Sequence, residues 1–341
     1  METADFDIQV PREMVAQEPV EPRDSSKLLV LHKDTGEVEH KRFWELPEYL
    51  SKRDCLVFNN SRVIPARLRG NLDREPMEEV VILLLRRIEE TGTWEALVEV
   101  GEVNTNQVID FKGFTGTVWN LGEKIGKRKE RLIELFIEDE SKIDTAGEPP
   151  VPPYIHGYKG DPEKYQTVYS KIRGSAAAPT AGLHFTDCLL EELRSKGVIL
   201  AFVTLHVGID TFMPILEDEP EKHKMYTEFC QVDIETAKVI NETRNKGNRV
   251  IGVGTTSVRT LESAHQNGRL TAYNDWTSIY ILPGYQFRSI DAMLTNFHYP
   301  RSTNLAMVSA FAGLDNIKKA YAEAVQENYR FYSFGDSCLL L

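Results

Sequence analysis

The chain has 341 residues, with 40 Lys+Arg against 52 Asp+Glu and a net charge of −12. That length exceeds the roughly 250 residues at which a single core stops growing, so two domains are expected, and the acidic balance argues against a protein that wraps nucleic acid with a generally basic surface. The apolar runs 80–85 and 199–203 fall far short of the roughly 20 residues of a membrane-spanning helix, the first residues lack the pattern of a secretory leader, and Cys55, Cys188, Cys230 and Cys338 form no C-x-x-C pair, so a cytoplasmic protein without a disulfide framework or zinc knuckle is expected.

Pro11, Pro19 and Pro22 interrupt any long helix at the start of the chain. Lys27–His32 reads as a strand, Asp34-Thr35-Gly36 as a turn, and Cys55–Phe58 as a second strand that opens onto the turn formers Asn59-Asn60-Ser61. Short β-like runs then follow one another: Val63–Arg69, Val80–Arg87, Trp94–Val98, Val108–Phe111, Gly116–Trp119 and Arg131–Ile137. Their close spacing predicts a small antiparallel barrel or sandwich over residues 62–148, closed off by the proline-rich connector Gly147–Pro153.

Beyond the connector, helices are predicted at Asp187–Lys196, Ile234–Lys246, Ser257–Gln266 and Asp315–Asn328. Between them come strands at Ile199–Val207, Arg249–Val253, Ser278–Leu282 and Ala292–Thr295, followed by β-like Tyr329–Phe334 and Ser337–Leu341. This alternation is α/β texture, and it assigns residues 1–61 and 149–341 to one α/β main domain around the insert.

Several segments carry groups capable of chemistry. The small-residue run Ser175–Thr186 contains Pro179, Thr180, Gly182 and His184, and Thr186 is placed to cap the helix that follows. It reads equally as a ligand loop or as a tight packing crossover. His206 ends an apolar strand, where it serves either as an acid–base group or as a satisfied structural histidine. Gly254-Thr255-Thr256-Ser257, with Arg259 one turn on, is a strand–turn–helix junction suited to a carboxylate or a ribose, or simply a capped helix. It matches neither the mononucleotide nor the dinucleotide glycine pattern. His298 is flanked by Phe297 and Tyr299, and the three histidines lack the spacing of a metal site.

Taken together, Pro22–Ser26, Asn59–Leu68, Ala178–Thr186, Gly254–Glu262 and Leu294–His298 resemble the S-adenosylmethionine:tRNA ribosyltransferase-isomerases of queuosine biosynthesis. The resemblance runs from Asp5 to Leu341 and implies an α/β domain with an inserted β-barrel. It implies transfer and isomerisation of the ribosyl moiety of S-adenosylmethionine onto 7-aminomethyl-7-deazaguanine in tRNA, which gives epoxyqueuosine-tRNA and releases adenine and methionine. S-adenosylmethionine is then a co-substrate, no metal or other cofactor is expected, and the chain is expected to act as a monomer. His184, His206 and His298 become candidate catalytic residues, and Asn60, Arg62, Pro179, Thr180, Gly182, Gly254, Thr255, Thr256, Ser257 and Arg259 candidate substrate contacts.

Glu79, Glu99 and Glu102 are acidic where phosphate contacts are plausible, which leaves a paralogue using S-adenosylmethionine on a small-molecule acceptor as the alternative. A tRNA acceptor calls for a basic groove, for which Arg62, Arg67 and Arg69 and the run Lys124, Lys127, Arg128, Lys129 and Arg131 are the candidates.

Overall fold

The runs 27–32 and 55–59 are apolar without alternation, and such strands are satisfied only when both faces of their sheet are covered. The computed structural model, which describes residues 1–73, 77–88, 92–124, 131–156, 158, 160–208 and 214–341, covers them in that way. The chain divides into two compact units, one of Met1–Ser61, Pro152–Ile172 and Ala178–Leu341, the other of Arg62–Val151 and Arg173–Ala177.

The first unit is built on a nine-stranded mixed sheet. Its strands are β1 (Lys27–His32), β2 (Glu37–Arg42) and β3 (Cys55–Asn59) from the start of the chain. The barrel unit supplies β4 (Arg67–Leu72), β5 (Glu78–Ile88), β6 (Thr93–Val100), β7 (Val108–Phe111), β8 (Phe114–Lys124) and β9 (Arg131–Ile137). Then come β10 (Ile199–Leu205), β11 (Glu228–Val232), β12 (Val250–Val253), β13 (Tyr273–Thr277), β14 (Ala292–Asn296) and β15 (Ser337–Leu340). The helices are α1 (Asp187–Lys196), α2 (Ile234–Asn245), α3 (Thr255–Ala264), α4 (Thr303–Ala312) and α5 (Leu314–Gln326).

The sheet order is β13-β11-β10-β3-β12-β14-β15-β1-β2. Its centre, β10-β3-β12-β14, is parallel throughout, so these four strands end at one edge. From β3 the chain goes to β10 on one side and later to β12 on the other, which makes a topological switch point at that edge. Successive residues face opposite layers. Leu28, Val30, Leu56, Phe58, Ile251 and Leu294 pack with Phe43, Leu46 and the apolar stripe Leu189, Leu190 and Leu193 of α1. Leu29, Leu31, Val57 and Met293 pack with Val258 and Leu261 of α3, Leu305 of α4 and Ile317 and Tyr321 of α5. Each fully buried Leu, Met or Phe contributes about 1.5–3 kcal/mol relative to exposure.

Residues 62–148 were expected to be β-rich, and the second unit holds a closed antiparallel barrel in the order β9-β6-β5-β4-β7-β8. Alternation points Leu68 and Leu72, Ile109 and Phe111, and Ile133, Leu135 and Ile137 inward. The fold class read from the sequence, α/β with an inserted small barrel, is therefore the one observed. Of the residues named for a cationic groove, Arg67 and Arg69 are found in ion pairs. Arg67 is bidentate to Glu99, with Nε and Nη2 donating at 2.8 and 3.0 Å. Arg69 lies 3.1 Å from Glu148 and 3.5 Å from Glu79. Glu99 is thus a partner of Arg67 rather than a bare charge, and neither arginine is a vacant cation. Residues 127–129 of the basic run lie outside the described residues.

Several local expectations are revised as well. The strand expected at Ser278–Leu282 is Tyr273–Thr277, whose backbone finds the edge of β11, after which Thr277 Oγ1 accepts from Ile279 N–H at 3.1 Å and turns the chain. The run Val63–Arg69 is broken at Pro65, which has no N–H to donate, and β4 starts at Arg67. Tyr329–Phe334 forms no strand, since Asn328 and Tyr332 have φ of 55° and 71°, which interrupts any ladder. Helix α4 escaped notice because Thr303–Ala312 is apolar almost all round and shows no 3.6-residue stripe.

Gly252 sits where α3 crosses β12, and a Cβ there would lie 2.6 Å from Val258 Cγ2. We expect Gly252→Ala to destabilise the protein by about 1–3 kcal/mol in urea unfolding, and Val258→Ala in the same chain to recover part of the loss.

Candidate active site

At the carboxyl edge of the parallel strands lies a cleft open to solvent. Each wall continues one strand: Val207 follows β10, Gly254, Thr255 and Thr256 follow β12, and Thr295 to Tyr299 run from the end of β14. Ala178 to Ala181 close one side, and Tyr154, Tyr299 and Tyr332 form an aromatic wall with ring centroids 5.0 to 6.4 Å apart. The Tyr154 hydroxyl is 2.8 Å from Ser333 Oγ, and burial pushes its pKa up to about 12.

Gly254 takes φ 85° to turn from β12 into α3, a ten-residue helix that starts on the cleft. The first N–H groups of a helix have no intrahelical acceptor and carry its positive dipole end, which favours an anion. Beside them Thr256 Oγ1 is buried without a partner among the described residues, and so is Asn296 Oδ1 at the end of the neighbouring strand β14. Buried polar atoms without partners are uncommon in folded proteins, and two on one cleft mark it as a place where a ligand completes the hydrogen bonding.

The three histidines fall in different environments. His298 lines the cleft, with Nε2 2.7 Å from Thr295 Oγ1, and burial pushes its pKa down to about 4. His206, beside the cleft-lining Val207 but not itself on the wall, has Nδ1 2.7 Å from Ser61 Oγ, stacks on Phe229 and is likewise pushed down to about 4 by burial. His184 was expected at the cleft, yet it lies behind its wall. Its ring is buried and stacked on Phe43 at 5.0 Å, with Nδ1 2.8 Å from Ser26 Oγ and Nε2 3.2 Å from Asn296 Nδ2. Burial, helped by the positive charges of Arg330 and Arg23, pushes it down to about 3.

Of the other residues singled out in the sequence, Pro179, Thr180, Gly254, Thr255 and Thr256 meet at the cleft. Gly182 does not. A Cβ there would lie 1.9 Å from the Tyr169 hydroxyl, so its lack of a side chain serves packing. Ser257 is buried with Oγ donating to the Val253 carbonyl at 2.8 Å. Arg259 is buried in an ion pair with Glu228, whose other oxygen accepts from Gly208 N–H at 2.7 Å. Asn60 lines a separate groove along β10 and α2, and Arg62 belongs to the barrel unit. Sequence reasoning missed that Tyr154, Tyr332 and Asn296 line the cleft. Asn296 stood in the motif before His298, whereas nothing local marks a tyrosine after a proline run as a cleft wall. Among the described residues no group of three or more His, Cys, Asp or Glu is arranged to hold a metal, and no helix is long and apolar enough to cross a membrane.

A histidine kept neutral by burial lowers the stability of the fold in acid, because the unfolded chain binds the proton at the ordinary value near 6.5 and the native state does not. Stability is therefore complete above 6.5 and falls as pH drops toward 3, the value reached by His184. We expect urea midpoints to decline across this window, and His184→Gln to flatten the slope by ~1.4 kcal/mol per pH unit.

Comparison with known proteins agrees with this architecture. The family described as queuosine biosynthesis protein matches residues 3–340. The chain is 46% identical over 345 residues to an S-adenosylmethionine:tRNA ribosyltransferase-isomerase of Dehalococcoides mccartyi, with 100% of both chains covered. It is 38% identical to the S-adenosylmethionine tRNA ribosyltransferase of Thermotoga maritima, whose crystal structure superposes with a TM-score of 0.57 over 99% of this chain and 100% of that one. The chain belongs to the queuosine biosynthesis protein family.

Proposed function

We propose that this protein is an S-adenosylmethionine-dependent tRNA ribosyltransferase-isomerase. It transfers the ribosyl moiety to 7-aminomethyl-7-deazaguanine in tRNA and isomerises it to the epoxide-bearing ring of epoxyqueuosine, with release of adenine and methionine. The observation that carries the reading is 46% identity to a named ribosyltransferase-isomerase over the whole of both chains. No observation favours the small-molecule acceptor, and Glu99, one of the acidic positions that suggested it, is the partner of Arg67. The enzyme is cytoplasmic and acts as a monomer, with catalysis in the body of residues 1–61 and 149–341.

The chemistry of the cleft suits S-adenosylmethionine. The start of α3, with Thr255 and Thr256, offers N–H and hydroxyl groups to the methionine carboxylate. The tyrosine wall offers π faces, which attract a sulfonium cation. The sulfonium acidifies the neighbouring C–H bonds of the ribose, and the reaction asks for a group that takes that proton. His298 is the residue for this step. Its Nε2 is anchored on Thr295, and its imidazole stays neutral at physiological pH, so the ring can accept a proton. Thr180, Pro179 and Gly254 shape the pocket around the nucleoside, while Arg259 and His206 support it from behind through Glu228, Gly208 and Ser61.

The test is direct. Protein, S-adenosylmethionine and precursor-bearing tRNA should yield adenine, methionine and the modified nucleoside by mass spectrometry. Adenine release with unmodified tRNA would overturn the assignment of the acceptor. His298→Gln should lower kcat by roughly 10²–10⁴-fold while S-adenosylmethionine still binds, and a variant of undiminished kcat would remove His298 from the proton step.

A further inference from the structure

Asn296 ends β14, lines the cleft, and is held in one amide orientation. The Tyr332 carbonyl can only accept, so the amide atom 3.3 Å from it is the nitrogen. The same nitrogen lies 3.2 Å from His184 Nε2, which must accept as well, and the proton of the neutral ring therefore sits on Nδ1 and is donated to Ser26 Oγ at 2.8 Å. Flipping the amide would press Oδ1 against the Tyr332 carbonyl, and against His184 Nε2 as well in the Nδ1–H tautomer. Both amide protons are thus committed, and Oδ1 is left buried on the cleft without a partner among the described residues.

We infer that Asn296 presents Oδ1 as a fixed hydrogen-bond acceptor to an N–H or O–H donor of S-adenosylmethionine, and that His184, braced by Ser26, is the positioning residue that locks the amide in this orientation. The inference rests on the assignment of the cleft to S-adenosylmethionine. It gives His184 a function its position otherwise denies it: a ring with both nitrogens engaged behind the wall does not reach substrate, but it decides which end of an amide the substrate meets. The lock holds across physiological pH because the imidazole remains neutral until about 3. It also makes the site selective, since a donor on the ligand satisfies Oδ1 and an acceptor in the same place is repelled.

Two measurements test this. S-adenosylmethionine affinity by calorimetry, with steady-state KM and kcat, is compared among the wild type, Asn296→Ala, His184→Leu and His184→Gln. Asn296→Ala and His184→Leu should raise Kd and KM by about tenfold, with kcat within about threefold, as expected for a lost ligand hydrogen bond. His184→Gln, whose side-chain carbonyl can accept from Asn296 Nδ2, should recover most of the loss. Unchanged Kd in Asn296→Ala would overturn the inference, and so would a collapse of kcat at unchanged KM in His184→Gln, which would make His184 catalytic. A wild type that does not bind S-adenosylmethionine at all would refute the cleft assignment instead. The second measurement needs no variant to fold: ring ¹⁵N shifts of His184 in the wild-type protein should show the Nδ1–H tautomer, and the Nε2–H tautomer would overturn the positioning role whatever the ligand.

Discussion

Four parallel strands buried on both faces leave no room for polar chemistry within the sheet, and this constraint organises the rest of the body. Side chains of β10, β3, β12 and β14 go alternately into two apolar layers, so functional groups emerge only where the strands stop. Parallel pairing sends every carboxyl end to one edge, and the switch of direction around β3 opens that edge. Residues far apart in the chain, Val207, Gly254 and Asn296, arrive there because each lies at the end of a strand of the same parallel set or within two residues beyond it. Helix α3 starts from the same edge, so its N-terminal dipole faces the cleft as a consequence of topology.

Removal from water then separates the three histidines that looked alike in the sequence. Each is held neutral by burial, but the partners differ. His298 keeps one side on the cleft, His206 is tied to Ser61, and His184 has both ring nitrogens engaged. An imidazole alternates between donor and acceptor across its ring, so the bond made by one nitrogen dictates what the other can do. The Tyr332 carbonyl, which can only accept, orients the Asn296 amide, and the amide nitrogen in turn calls for the His184 tautomer whose Nδ1–H faces Ser26.

Among the described residues of the barrel, Arg67 and Arg69 are neutralised locally. The bidentate Arg67–Glu99 pair is partly buried and has the fork geometry that gives such pairs strength, whereas the Arg69 contacts with Glu79 and Glu148 are exposed and worth little each. Glu79 and Glu99, which looked like repulsive charges in the sequence, are partners of Arg69 and Arg67 in the fold. A net charge of −12 therefore describes the chain as a whole without describing any one surface.

The sequence by itself determined the architecture and the family. Apolar runs at 27–32, 55–58 and 199–203, the amphipathic stripes of α1 and α5, and the closely spaced short strands of the insert are local patterns, and local patterns survive in a one-dimensional reading. The glycine turn into α3 and the Thr186 cap of α1, which accepts from Leu189 N–H at 3.2 Å, were legible for the same reason. Helix α4 and strand β13 were not, because one depends on burial on all sides and the other on an edge supplied by β11. Only the tertiary structure decided which histidine touches the cleft, that Arg67 belongs to Glu99, and that tyrosines at 154, 299 and 332 share a wall. Those outcomes turn on contacts between residues tens to hundreds of positions apart, and on burial, which changes what an imidazole or a carboxylate can do without changing its letter in the sequence.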